Sequence, residues 1–209
     1  MLSLDGRRDS ASALAVFGSA LRDANTNALE GVESLWLSGA PGPACRIAGS
    51  IRTLRRLVVH DWRSPDLLPL RELHLLESLS IAGSPKLKSL VGIEGLSCLD
   101  ELILFDSTGF TSIDSVRHLT GLKTLCVEGG FNKSLRLDTL EPLHGLVNLE
   151  SLRLASVTVA DGSLAPLRSL TGLRSIFITA QFRAPELRAL AEALPLARGE
   201  HLDSHRNAV

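Results

Sequence analysis

Aliphatic residues recur along this chain in a fixed pattern: an apolar residue, Leu or Ile three positions later, and another aliphatic residue two positions after that. The last two positions of the pattern are filled seven times, by Leu35/Leu37, Leu57/Val59, Leu79/Ile81, Leu102/Leu104, Leu125/Val127, Leu152/Leu154 and Ile176/Ile178. Consecutive copies are 22, 22, 23, 23, 27 and 24 residues apart. A period of this length indicates one supersecondary unit stacked many times, so the pattern predicts a solenoid.

Each unit combines two periodicities. Before Leu79 and Ile81, apolar residues stand at every third position, at Leu67, Leu70 and Leu73, and the other units repeat this series. A period of three is typical of tight 3₁₀-like or extended turns, and the change to a period of two indicates a short strand. Neither half can bury its apolar side alone, so neighbouring units must stack.

The strand segments resemble the signature Leu-x-x-Leu-x-Leu of the leucine-rich repeat family. Matching copies include Leu76-x-x-Leu79-x-Ile81, Leu99-x-x-Leu102-x-Leu104 and Leu149-x-x-Leu152-x-Leu154. The short period is similar to that of the bacterial internalin-like class. The resemblance implies an α/β solenoid, a curved right-handed superhelix with a parallel β-sheet on its concave face, short 3₁₀ or loop returns on its convex face and a C-terminal capping helix. It implies little about function, because the family binds many unrelated partners.

The same pattern divides the chain into four parts. Residues 1–28 are expected to form an N-terminal cap or a degenerate first repeat, in which Leu14 and Val16 could form a strand. About seven repeats are expected over 29–183. Residues 184–199 should form a capping helix, because Pro185 opens an apolar stripe that begins with Leu187 and Leu190. Residues 200–209 are expected to be a loose tail.

The chain departs from the resemblance in two places. The family usually has Asn three residues after the last strand leucine, whereas this chain has Ala40, Trp62, Ser84, Ser107, Gly130, Val157 and Gln181. Ser84, Ser107 and Gln181 could still donate a hydrogen bond, but the other turns must be satisfied by backbone groups or water, which predicts an irregular solenoid. The spacing of 27 residues contains an insertion at about Gly129 to Leu137, which is expected to bulge from one edge.

The composition limits the classes of partner and the cellular compartment that we expect for this chain. The chain has 22 Lys and Arg against 23 Asp and Glu and no basic cluster, which argues against nucleic-acid binding. It contains neither a long apolar stretch nor an N-terminal secretion signal, so we expect no membrane span. Three scattered cysteines favour a reducing compartment. We therefore expect a cytoplasmic protein, and the frequent Ala, Arg and Gly favour a bacterial source; a monomer is slightly favoured.

Motifs that carry chemistry are scarce. We find no phosphate-binding glycine loop, no nucleophile elbow and no paired Cys-x-x-Cys. His74, His118 and His144 fall at different offsets of different repeats, so they do not predict a shared site. His201 and Asp203 have ligand-like spacing with His205, but they lie in the expected tail. The sequence thus predicts no enzyme, metal, cofactor or small-molecule substrate.

The outward-facing strand positions are the most informative for function. Side chains alternate across a strand, so the residues between and beside each leucine pair face outward. The candidate partner-binding residues are Trp36, Arg56, Val58, His60, Asp61, Trp62, Ile103, Phe105, Cys126, Glu128, Arg153 and Phe177. Exposed aromatic anchors with a polar rim are typical of protein-binding surfaces. In the alternative interpretation, both tryptophans cover an edge or the N-terminal cap, and Phe177 packs under the C-terminal helix.

Two functions remain open at this stage. The first is a non-enzymatic module that binds a protein or peptide on its concave face, as a scaffold, immunity or regulatory protein. The second is a regulator of a partner enzyme, such as a GTPase or a phosphatase, which would act through an arginine on a loop. Arg63 is the candidate for that role, and its position directly after Trp62 favours a solvated turn residue instead.

Overall fold

The computed structural model describes residues 13–18, 29–179 and 182–206. The main element is a sheet of eight parallel strands in the order β1-β2-β3-β4-β5-β6-β8-β10. Its strands are β1 Ala13–Phe17, β2 Ser34–Ala40, β3 Arg56–Trp62, β4 Ser78–Ala82, β5 Glu101–Phe105, β6 Thr124–Glu128, β8 Ser151–Ala155 and β10 Ser175–Ile178. A second sheet pairs β7 Leu135–Leu137 with β9 Val157–Val159 in parallel. The architecture is the predicted solenoid of strands and short returns.

The seven aliphatic pairs form the inner side of the sheet. Leu102 of β5 pairs with Leu79 on one side and with Leu125 on the other, and every other pair is in the same register. Their side chains are at most 3% exposed, so they form the continuous core that the pattern predicted. Strand β1 extends the sheet because Leu14 pairs with Leu35.

The returns on the opposite side are mostly 3₁₀ turns. Four of them are described, at Leu68–Leu70, Asp114–His118, Glu141–Leu143 and Ala165–Ser169. The return between β2 and β3 differs from the prediction, because it contains the α-helix α1 at Gly42–Ala48. Ala44 and Ala48 are spaced by four residues and are both buried, so this return follows a helical period instead of a period of three.

Backbone hydrogen bonds join consecutive repeats at the start of each strand. The carbonyl oxygen of Arg55 accepts hydrogen bonds from the N–H groups of Glu77 at 2.7 Å and Ser78 at 3.0 Å. The same pair of hydrogen bonds to one carbonyl oxygen recurs in later repeats. The accepting and donating column is charged throughout, at Glu33, Arg55, Glu77, Asp100, Lys123, Glu150 and Arg174. Arg55 pairs with Glu77 at 2.5 Å and Lys123 with Asp100 at 3.3 Å, so this column adds exposed ion pairs to the backbone ladder.

A left-handed residue ends most of the strands. The second residue after the last core position has φ of 60° at Asp61, 47° at Asp106 and 50° at Ser156, and glycines occupy the position at Gly39 and Gly83. Asp and Gly tolerate this conformation better than most residues do. The turn redirects the chain, so the next residue points into the core instead of outward.

That next position is where the family usually has Asn. Ser84 takes over part of its role, since its Oγ accepts the Trp62 N–H at 2.8 Å and donates to the Ala82 carbonyl at 3.0 Å. Ser107 Oγ likewise donates to the Phe105 carbonyl at 3.2 Å. Val157 is instead buried in the core, and Gln181 lies outside the described residues.

The insertion after β6 is only partly a bulge. Phe131, at its tip, is 95% exposed, but the following residues form β7, in which Leu135 and Leu137 are buried. The expectation that the whole segment from Gly129 to Leu137 bulges outward is therefore wrong for its second half. Strand β7 pairs with β9 of the next repeat, so the insertion adds a second seam between two neighbouring repeats.

Two helices cover the C-terminal end of the sheet. Helix α2, Ala184–Ala193, begins where the sequence predicted it and buries Leu187 and Leu190. The prediction of a loose tail over 200–209 is wrong for residues 200–206, because Glu200–Arg206 forms helix α3, which packs against α2 and buries Leu202; residues 207–209 lie outside the described residues. A bridge from Ser175 to Arg198 covers part of the free edge of β10.

Candidate protein-binding face

The outward-facing side chains of the eight-stranded sheet form a grid that we call the sheet face. Each strand contributes three positions, and parallel register aligns these positions into three columns across the strands. Neighbouring strands lie about 4.8 Å apart, so the columns run for roughly 30 Å. Most of the candidate residues from the sequence lie on this grid.

One aromatic group lies on the first three strands. The Trp36 ring stacks on the His60 ring, with centroids 6.2 Å apart and planes inclined by 13°. Trp36 is 56% exposed, and Phe17 on β1 is 67% exposed. These two rings border an open hollow of about 230 Å³ above Ala15 and Ser38. We call Phe17, Trp36, Val58 and His60 the N-terminal patch.

A second apolar group lies on β5 and the insertion. The Phe131 ring meets the Phe105 ring edge to face, with centroids 6.2 Å apart and planes inclined by 80°. Ile103 is adjacent on β5, and both Ile103 and Phe105 are half-buried. The insertion therefore supplies some cover for Phe105, but Phe131 itself projects into solvent. We call Ile103, Phe105 and Phe131 the central patch.

The charged residues near the C-terminal end of the face are engaged with each other. Arg153 forms an ion pair with Glu128, and its guanidinium carbon lies 4.2 Å above the centroid of the Phe177 ring. The Cys126 Sγ donates to Glu128 Oε1 at 3.4 Å. These contacts link β6, β8 and β10 across the surface. A partner that uses Glu128 or Arg153 would therefore meet side chains that are already held in place.

The Cys126 thiol is held in its neutral form. Burial, followed by the carboxylate of Glu128, raises the pKa of Cys126 to about 12. Burial also raises the pKa of Cys45, whereas Cys98 is exposed. All three cysteines are free.

Only one of the three thiols should therefore react readily in the native protein. At pH 8 a thiol with a pKa near 12 is ionised in only about one molecule in ten thousand, and the thiolate is the reactive form. We expect Ellman's reagent to titrate one thiol, Cys98, in the native protein and three in guanidinium chloride. The Cys98→Ser variant should show no fast reaction, and a fast phase remaining in that variant would contradict the assignment.

Two of the candidate residues do not belong to the face. Trp62 is 0% exposed, and its Nε1–H donates to the Asp66 carbonyl at 2.9 Å, so the prediction that it binds a partner is wrong. Asp61 is the left-handed residue before it, and its carboxylate accepts from Arg63 Nε at 2.7 Å. Because Arg63 is paired within the same turn, it would have to leave Asp61 before it could reach into a partner's active site.

Comparisons with known proteins support the fold. No protein-family model matches the chain, and no curated protein matches its sequence. Among solved structures, internalin C2 of Listeria monocytogenes matches with a TM-score of 0.53 and 19% identity, over 72% of this chain and 63% of that one. The chain has the internalin-like leucine-rich repeat fold.

Two further leucine-rich repeat structures match over more of the chain. An internalin F of Listeria monocytogenes matches with a TM-score of 0.55 and 18% identity, over 82% of this chain and 56% of that one. A leucine-rich repeat protein of Leptospira interrogans matches with a TM-score of 0.58 and 15% identity, over 88% of this chain and 53% of that one. The chain thus spans between half and two thirds of the length of these three structures, and the similarity concerns the fold.

Two aromatic residues on or beside the sheet face were not among the candidates from the sequence. Phe17 lies one position beyond Val16, in the same place as Ser38 on the next strand, so extending the strand pattern to β1 would have identified it. Phe131 lies in the insertion, outside the repeat pattern, and no periodic signal points to it. Within the described residues, no helix has the length and apolar character needed to cross a bilayer, and no group of His, Cys, Asp and Glu side chains could hold a metal ion.

Proposed function

We propose that this chain is a non-enzymatic module that binds a protein partner on the sheet face. The observation that carries the proposal is the exposure of large aromatic side chains on and beside the sheet: Trp36, on β2, is 56% exposed, and Phe131, in the adjoining insertion, is 95% exposed. Exposed aromatic residues that lie close together and are surrounded by polar groups are typical of protein-binding sites. Within the described residues, Phe131 contacts Phe105, but its own ring remains almost fully open to solvent.

The scaffold suits this role because its side chains are already ordered. Trp36 is stacked on His60, and Arg153 is held between Glu128 and Phe177, so these groups lose little conformational freedom on binding. The N-terminal and central patches would supply apolar anchors. Arg56, Glu128 and Arg153 would set the orientation of the partner by charge. A cytoplasmic protein of a bacterium, acting as a scaffold, an immunity protein or a regulator, is part of the same proposal.

The test compares charged substitutions in each patch. We expect Trp36→Glu and Phe105→Glu to lose the partners that the wild-type protein captures from the native host, because each buries a carboxylate in an apolar contact. The captured protein would be purified and titrated by calorimetry against each variant. A loss of affinity of about tenfold or more is expected for a substitution at an anchor position.

The matched control lies on the other side of the solenoid. Val147 is 53% exposed in a return segment, so Val147→Glu adds the same charge far from the sheet face. This variant should bind like the wild type. If both sheet-face variants bind normally while Val147→Glu does not, the binding site lies on the convex side and the proposal fails.

A further inference from the structure

A trough of small side chains crosses the sheet face between the two patches. Strand β4 presents only Ser78, Ser80 and Ala82 outward. The strands on either side present large groups, namely Arg56, Val58 and His60 on β3 and Glu101, Ile103 and Phe105 on β5. With strands about 4.8 Å apart, the two walls are about 10 Å apart. Ser78 is buried, whereas Ser80 and Ala82 are half-buried, so the trough leaves room above Ser80 and Ala82 for side chains of a partner that spans both walls.

The two walls carry opposite charges in the same column. Register places Ser78 between Arg56 and Glu101. Arg56 is exposed and forms no ion pair or hydrogen bond with another described side chain. Glu101 accepts from Ser78 Oγ at 2.5 Å, but no cation of the described residues pairs with it. At about 10 Å in water, the attraction between the two charges is below about 1 kcal/mol, so both remain available to a partner.

We infer that an amphipathic helix of a protein partner spans this trough from wall to wall, lying across the strands with one acidic side chain on Arg56 and one basic side chain on Glu101, seven residues apart. The inference rests on the proposed function and specifies the partner for the same face. It makes Arg56 and Glu101 the residues that determine specificity. The small side chains of β4 would leave room for the helix between them.

The spacing of the charges favours a helix over an extended segment. Residues i and i+7 lie on one side of a helix and about 10.5 Å apart, which matches the separation of the two walls. In an extended segment, residues on one side are about 6.8 Å or 13.6 Å apart, and neither distance fits. The three columns together are roughly 13 Å wide, comparable with the 10–12 Å diameter of a helix. Apolar residues at i+3 and i+4 would then lie over β4, between the two walls.

The test uses alanine-based helical peptides with leucine at i+3 and i+4 and charges at i and i+7. One peptide carries Glu and Lys, a second carries two Glu and a third carries two Lys. Fluorescence anisotropy would measure their affinities for the wild-type protein and for Arg56→Glu and Glu101→Arg. Both substitutions lie at outward-facing positions, and circular dichroism would check that the variants are folded.

The preference should follow the charges on the protein. We expect the wild type to bind the Glu/Lys peptide about five- to tenfold more tightly than the other two. Arg56→Glu should prefer the peptide with two Lys, and Glu101→Arg the peptide with two Glu. A peptide with its charges at i and i+4 is the control for spacing and should lose the advantage. The preference should also weaken at high salt.

Two results would overturn the inference: binding that ignores the charge substitutions, or no binding by any of the peptides. Its failure can be told apart from failure of the proposed function. If the purified host partner still depends on Trp36 and Phe105 while the peptides show no charge preference, the sheet face binds a partner of another shape. If the host partner ignores both aromatic residues, the proposed function itself is wrong.

Discussion

Replacing Trp62 with alanine should lower the free energy of unfolding by about 3–5 kcal/mol, the usual cost of removing a large buried aromatic side chain. Trp62 is 0% exposed, and its indole N–H donates to the Asp66 carbonyl. The substitution would leave both a cavity and an unpaired carbonyl. Urea denaturation followed by far-UV circular dichroism would measure the loss.

Trp36 provides the matched control, because the chain has only these two tryptophans. Trp36→Ala removes an exposed ring, so stability should change by less than about 1 kcal/mol. The fluorescence of the two single-tryptophan proteins should differ in the same way, with blue-shifted emission from Trp62 and emission that acrylamide quenches readily from Trp36. Equal losses of stability in the two variants would contradict the assignment of Trp62 to the core and Trp36 to the sheet face.

Gly92→Ala should be the second strongly destabilising substitution. Gly92 has a φ of 116°, and a Cβ at this position would lie 2.2 Å from the carbonyl carbon and 2.3 Å from the carbonyl oxygen of Leu67 in the preceding repeat. The strained backbone costs about 1–3 kcal/mol, and the overpacking costs a similar amount. The clash involves backbone atoms, so side-chain rotation cannot relieve it, and the Leu67 N–H bond to the Val91 carbonyl would be disturbed.

Gly121→Ala is the matched control for this prediction. The nearest atom to a Cβ at Gly121 is the Ser97 carbonyl oxygen at 4.0 Å, and its φ is not positive. Alanine there restricts the unfolded chain without a clash, so stability should stay constant or rise by about 0.4–1 kcal/mol. Thermal unfolding of both variants side by side would decide the matter. A Gly92→Ala protein as stable as the wild type would mean that the two repeats can separate locally at little cost.

The strands could be predicted from the sequence because two buried aliphatic residues mark each one. Helix α1 was harder to predict, since Ala44 and Ala48 give only a weak apolar stripe and the other returns follow a period of three. The apolar signal for helix α3 in the sequence is one buried leucine, Leu202, within a polar stretch. One residue cannot establish a helical period, so the helix was not predicted.

The candidate site was predicted less completely than the fold. Alternation through β3 predicts that Trp62 faces outward, but the left-handed conformation of Asp61 redirects the chain and turns Trp62 inward. A backbone reversal of this kind is not visible in a hydrophobic pattern. The pairing of Arg153 with Glu128 and Phe177 depends on side-chain distances across three strands. The strand register brings these residues side by side but does not determine those distances.

The second sheet also determines how this chain could change length during evolution. Most of the described repeats share one parallel sheet with their neighbours, so the loss or gain of a whole repeat there could leave the strand register intact. The repeats that contain β7 and β9 are joined twice, by the main sheet and by the pairing of Leu135 with Val157. Deleting either repeat would leave the other with an unpaired apolar strand. We therefore expect these two repeats to be gained or lost together, as a pair.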